Sequence, residues 1–186
     1  MLSDEKFCEQ AMKFALVSDT EGQFFKLDDY KKLIEGNQTD KDSNLVYLYA
    51  TDKEAQYSYI KAANDKGYNV LMMDGQLDIP FVSMLEQKNE KSRFVRVDSD
   101  VIDNLIRKED DKKSELSADE QAMASTLFKS QIPAIEKSEF YVSFAALAAT
   151  DQPVVITQSE YMRRMKEMAQ FQSGMNFYGE LPNAYN

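Results

Sequence analysis

From Leu45 to Leu85 the chain reads strand, helix, strand, helix, and few folds accept that order. LVYLY at 45–49 is a short apolar run rich in strand-favouring side chains. It is long enough for a buried strand and too short for a helix. Thr51 follows, with Glu54 three residues on, a spacing that predicts a reciprocal capping box. The helix is expected to run to about Lys66, with Tyr59, Ile60, Ala62 and Ala63 on its apolar side. Gly67 stands where a left-handed residue ends a helix. Tyr68 to Met73 reads as the second strand. Asp78 is placed to cap the next helix, and Pro80 suits its first turn, where an N–H would lack a partner anyway.

Two strands joined by a helix of this length pair in parallel, with a right-handed crossover. Such a sheet needs helices on both faces. The expected fold class is therefore α/β: a small three-layer αβα unit on a mostly parallel sheet, followed by an incomplete α+β segment. The flanks supply the remaining layers. Ser3 is placed to cap a helix through about Val17, with Phe7, Ala11, Phe14 and Ala15 spaced for one buried face. Cys8 lies beside that face and reads as a small buried hydrophobe rather than a reactive thiol. Residues 18–22 form a turn, Phe24-Phe25 a short extended piece, Leu27 to Gly36 a helix and Asn37 to Asn44 a polar loop. Phe94 to Val97 alternates like a third strand, and Val101, Ile102, Leu105 and Ile106 are spaced for a short helix.

The run RKEDDKKSE at 107–115 has no apolar residue and reads as a solvated connection. Two domains are expected, at 1–107 and 116–186, with 108–115 between them. In the second, Ser117 and Glu120 form a capping box for a helix carrying Met123, Leu127 and Phe128. Phe140 to Phe144 and Val154 to Ile156 read as two strands close enough to pair antiparallel. Thr157 to Glu160 forms another N-terminal box, and Glu160 to Phe171 a methionine-rich helix. Tyr161, Met162, Met165, Met168 and Ala169 fall on one side of it, with Arg163, Lys166, Glu167 and Gln170 on the other. After Gly174 the tail is aromatic and turn-rich, and the domain looks cut short at Asn186.

Composition narrows the chemistry. The 186 residues carry a net charge of −10, which disfavours nucleic acid and anionic membrane surfaces as partners. There is no histidine and a single cysteine, so Ser-His and Cys-His nucleophiles and a tetrahedral zinc site are excluded within this chain. A lone cysteine suits a reducing, cytoplasmic setting. No signal peptide and no bilayer-length apolar run is visible.

The stretch LVYLYATDKEAQYSYIKAANDKGYNVLMMDGQLDIPFVSMLEQKNEKSRFVRVDSD resembles the last part of the middle domain of the HtpG family, the bacterial ninety-kilodalton heat-shock chaperones. PVVITQSEYMRRMKEMA resembles the start of that family's C-terminal domain, and MNFYGELPNAYN the segment before its dimerisation helices in Bacteroidetes-type members. The resemblance implies a chaperone fragment that assists non-native client proteins. ATP and magnesium would bind only in an N-terminal domain outside this chain, so the fragment itself would carry no cofactor and no ATPase activity. Homodimerisation would use helices beyond Asn186. The resemblance also assigns client contact to the methionine-rich helix, through Tyr161, Met162, Met165 and Met168. An aromatic contact on the middle-domain side is a tryptophan near Ile79-Pro80 in the bacterial pattern. This chain has no tryptophan, and Phe81 is the candidate substitute.

Two other readings stand beside this one. The methionine stripe reads equally as core, with Met165 packed inward and Met162 and Met168 partly exposed. The alternative function is a ligand or nucleotide site at the C-terminal ends of the parallel strands. Against it, the loops Ala50-Thr51-Asp52 and Asp74-Gly75-Gln76 lack a phosphate-cradling glycine pattern, and Asp74 reads as a turn residue rather than a metal ligand or phosphoryl acceptor. A third reading is a connector that transmits motion without touching clients.

Overall fold

The computed structural model describes residues 5–75, 77–108, 116–147, 152–171 and 182–186. They fall into two compact units, Met1–Val97 with Leu105–Glu109, and Asp98–Asn104 with Asp110–Asn186.

In the first unit the chain runs α1 (Glu5–Met12), β1 (Leu16–Asp19), β2 (Phe24–Lys26), α2 (Leu27–Ile34), β3 (Leu45–Ala50), α3 (Tyr57–Asp65), β4 (Val70–Met72), α4 (Asp78–Lys88) and β5 (Ser92–Arg96). The helix α5 (Ile102–Leu105) follows. The strands form one sheet in the order β2-β1-β4-β3-β5. β3 pairs in parallel with β4, Tyr49 opposite Leu71, and with β5, Tyr47 opposite Phe94. β1 pairs antiparallel with β4 and with β2, so it runs against the other four strands. The sheet is mostly parallel, as the strand–helix–strand pattern requires.

β3 is buried at every position, which places it in the middle of a covered sheet. Val17, Tyr47, Tyr49, Leu71 and Phe94 meet Tyr30 and Ile34 of α2 and Ile79, Val82 and Leu85 of α4 in one core. Their neighbours Val46, Leu48 and Val70 point to the opposite face and are buried too. α3 buries Ile60 and Ala63. A column of rings crosses the core: Phe25 to Tyr30 at 5.6 Å, Tyr30 to Tyr47 at 6.0 Å, and Tyr47 stacked on Phe94 at 4.4 Å. Each such ring buried contributes on the order of 2 kcal/mol.

Several local expectations are corrected. The first helix ends at Met12, because Leu16 to Asp19 is taken into the sheet, and Phe14 is 76% exposed. Cys8 lies in α1, but its side chain is outside the described residues. The capping box at Thr51 does not form. Gln56 Oε1 instead accepts the N–H groups of Thr51 and Asp52 at 2.8 and 3.0 Å, Asp52 Oδ1 accepts those of Glu54 and Ala55, and α3 begins only at Tyr57. Asp78 turns back to accept the Gly75 N–H at 2.8 Å, bracing the turn before α4 rather than capping the helix. The end of α3 follows expectation. Gly67 has φ +74°, its N–H donates to Asn64 O and that of Tyr68 to Ala63 O, which satisfies two terminal carbonyls.

The second unit holds α6 (Ala118–Gln131), β6 (Ser138–Phe140), α7 (Glu160–Phe171) and β7 (Asn183–Tyr185). The Ser117 capping box is complete: Ser117 Oγ accepts the Glu120 N–H, and Glu120 Oε2 accepts the Ser117 N–H at 2.8 Å. α6 buries none of its own side chains. The expected antiparallel pair of strands does not form. Residues 141–147 and 152–157 lie outside named strands, and β6 pairs in parallel with β7, a tail strand that polar residues had disguised as turn. The charged run falls largely on 109–115, outside the described residues.

Candidate functional site

α7 spans the predicted methionine-rich helix from Glu160 to Phe171. Its entry is built from backbone pairing rather than from the expected box. Thr157 exchanges two backbone hydrogen bonds with Asn186, and the Gln158 N–H donates to Asp98 O at 2.9 Å. The Thr157 N–H, which the box would offer to Glu160, goes to Asn186 O instead. Glu160 Oε1 accepts from Arg163 Nη2 at 2.7 Å and Arg164 Nε at 2.6 Å. Burial works to raise the Glu160 carboxyl, but the two guanidinium groups outweigh it and hold it below the usual carboxylate range.

That network reverses part of the expected amphipathicity. Arg163, assigned to the solvent side, is only 4% exposed, while Tyr161, assigned to the apolar side, is 70% exposed. A guanidinium that shares a carboxylate with its neighbour can be buried, and its stem packs as an apolar group. Met162 and Met165 are half-buried. Met168 belongs to the helix, but its side chain is outside the described residues. Tyr161, Met162 and Met165 are therefore brought together on one helix. Phe81 lies on α4 in the other unit, half-buried against the core beside Val82 and Leu85.

Lys166, on the second turn, donates to Asn183 Oδ1 of β7 at 2.7 Å, and burial lowers its ammonium pKa. Arg163, Lys166 and Asn183 were missed as site residues. The Glu160–Arg163–Arg164 spacing of three and four residues was the available signal for the ion pairs. No local signal marks a contact between Lys166 and a residue in the tail.

At the end of β3, one of the strand ends in the alternative reading, the chain supplies its own acceptor. The Gln56 carbonyl oxygen takes the Thr51 and Asp52 N–H groups that would otherwise face an anion. Among the described residues no group of three His, Cys, Asp or Glu side chains is placed to hold a metal ion. No described helix is long and apolar enough to cross a membrane.

No family model matches the chain. It is 60% identical over all 186 residues to proteins named Chaperone protein HtpG from Bacteroides fragilis and Bacteroides thetaiotaomicron, and 56% identical to the one from Porphyromonas gingivalis. Each match takes in the whole of this chain and 27% of the relative, so the chain spans about a quarter of the length of the curated relatives it matches. Among solved structures, the middle domain of a Plasmodium falciparum heat shock protein overlaps 53% of this chain and 41% of its own. That overlap has a TM-score of 0.40 at 15% identity, too loose to carry an argument. With identity this high sustained from Met1 to Asn186, the chain belongs to the HtpG family of chaperones.

Proposed function

We propose that this chain supplies part of the polypeptide-holding surface of a chaperone, with α7 as the contact element. The observation that carries the reading is Tyr161, 70% exposed on a helix whose neighbouring Met162 and Met165 are only half-buried. A large aromatic beside flexible, polarizable thioethers suits contact with many unrelated apolar segments. Met168, on the same helix, and Phe81, as a separate contact on α4, belong to the proposal, which takes residues 1–107 as the end of a middle domain and 116–186 as the start of a C-terminal one. ATP hydrolysis and its magnesium belong to sequence outside this chain, as do the dimer contacts, and the setting is the cytoplasm. The ligand-site alternative is less well supported, since at the end of β3 the Thr51 and Asp52 N–H groups already donate to Gln56 Oε1.

The test uses reduced, carboxymethylated α-lactalbumin as a permanently unfolded probe. Tyr161→Ser with Met162→Ser is expected to weaken its binding roughly tenfold, as the loss of two partly buried apolar contacts implies. Unchanged affinity in a variant whose circular dichroism matches the parent would overturn the assignment to α7.

A further inference from the structure

We infer that β7 sets the rotation of α7, and that Asn183 is a positioning residue for the polypeptide-contacting side chains. The inference rests on the reading of α7 given above. β7 is held along both edges. On one edge it runs parallel to β6, with Ser138, Glu139 and Phe140 opposite Asn183, Ala184 and Tyr185. The Asn183 N–H donates to Lys137 O, and the Tyr141 N–H to Tyr185 O, each at 2.8 Å. The Phe140 and Tyr185 rings stack at 5.3 Å. On the other edge lie the residues that lead into α7. The Thr157 N–H donates to Asn186 O at 2.7 Å, the Asn186 N–H returns to Thr157 O at 2.8 Å, and Gln158 bridges Tyr185 antiparallel.

The backbone pairing fixes where the helix begins, and burial of Arg163 keeps one face inward. Lys166 adds a second tie between the helix and β7. Its ammonium reaches Asn183 Oδ1 at 2.7 Å, a charge-assisted bond from the second turn of the helix to the strand that holds its entry. Successive residues of a helix are offset by about 100°, so a roll of one position would exchange the exposed place of Tyr161 for that of a neighbour. Two attachments to one strand, at the entry and at Lys166, hold the Tyr161 face outward. The tail strand therefore acts on polypeptide contact through α7, without touching the polypeptide.

The experiment compares Asn183→Leu, which removes the acceptor, with Asn183→Asp, which keeps it, in the 186-residue chain. Hydrogen exchange across α7 and affinity for reduced, carboxymethylated α-lactalbumin are read together. Asn183→Leu is expected to speed exchange in α7 about tenfold and to weaken probe binding by a similar factor, while the amides of Val46 and Leu48 keep their protection. Asn183→Asp restores both. If Asn183→Leu changes neither readout while Tyr161→Ser weakens the probe, the positioning role is refuted and the reading of α7 stands. If Tyr161→Ser leaves the probe unaffected, the reading of α7 fails, and the exchange data alone decide whether Asn183 holds the helix. Lys166→Met cuts the same bond from the helix side with β7 intact, and decides the matter should Asn183→Leu unfold the unit.

Discussion

Gln38 Oε1 accepts the backbone N–H of Asn69 at 2.6 Å, so a side chain from the loop before β3 closes the chain just before β4. The other end of the same amide, Nε2, donates to Val46 O at 2.9 Å, and the residue is 1% exposed. Replacement by leucine keeps the volume but strands the part-buried N–H of Asn69 and the buried carbonyl of Val46. Gln38→Leu is expected to cost about 2–4 kcal/mol, read as a lowered urea midpoint for the first unit. A variant as stable as the parent would show that solvent or a shifted loop replaces both bonds.

Gly67 makes a second, independent test of the same region. Its φ of +74° is strained for any L side chain, and a Cβ there would sit 3.2 Å from Asn37 Nδ2. That amide donates to Gly67 O at 2.7 Å. Gly67→Ala should therefore lose about 1–2 kcal/mol by the same urea measurement. Gly36→Ala, with nothing within 4 Å and no positive φ, serves as the control and should cost far less.

The pH dependence of α7 follows from Glu160. Its carboxyl pKa is lowered in the folded chain, because the Arg163 and Arg164 guanidinium groups outweigh the burial that acts to raise it. The stabilisation is thus complete above the unfolded pKa and is lost as pH falls through the lower folded value. Glu160→Gln should remove that acid dependence from hydrogen exchange in α7. At neutral pH it should also cost about 2 kcal/mol, less than a fully buried pair because the Glu160 side chain is 23% exposed.

Gln56 offers a chemical control on the strand-end alternative. Gln56→Ala frees the Thr51 and Asp52 N–H groups and is expected to cost about 1–2 kcal/mol. Nucleotide added to the parent chain should leave its Tm unchanged, whereas a rise with ligand concentration would revive the ligand-site reading by linkage.

The sheet of the first unit was legible because its signals are local and consistent. LVYLY, the Asp65-Lys66-Gly67 helix end and the alternating FVRV each agree with their neighbours. The capping at Thr51 was misread because two rules competed for the same atoms. Gln56, five residues downstream, wins the N–H groups that the box would have used. Asp52 then takes the next pair, which delays the helix. Phe14 was misplaced for another reason. An apolar stripe at helical spacing says nothing of where a strand begins, and Leu16-Val17 is claimed by pairing with β2.

For α7 the bounds were legible and the facing was not. Periodicity sorts side chains by polarity, yet Arg163 is buried because Glu160 shares its charge locally, and Tyr161 is left outside. The partner that orients the helix comes from β7, in the final residues of the chain. A three-residue strand of Asn, Ala and Tyr carries too little pattern to announce itself, and its pairing with β6 is a non-local contact.

The ring column from Phe25 through Tyr30 and Tyr47 to Phe94 has an optical consequence. The chain has no tryptophan, so its near-ultraviolet dichroism comes from tyrosine and phenylalanine alone. Tyr47 and Phe94 lie with planes 10° apart and centroids 4.4 Å apart, close enough for their transitions to couple. Loosening of the first unit would therefore erase the Tyr47–Phe94 part of that signal, to which the exposed ring of Tyr161 scarcely contributes.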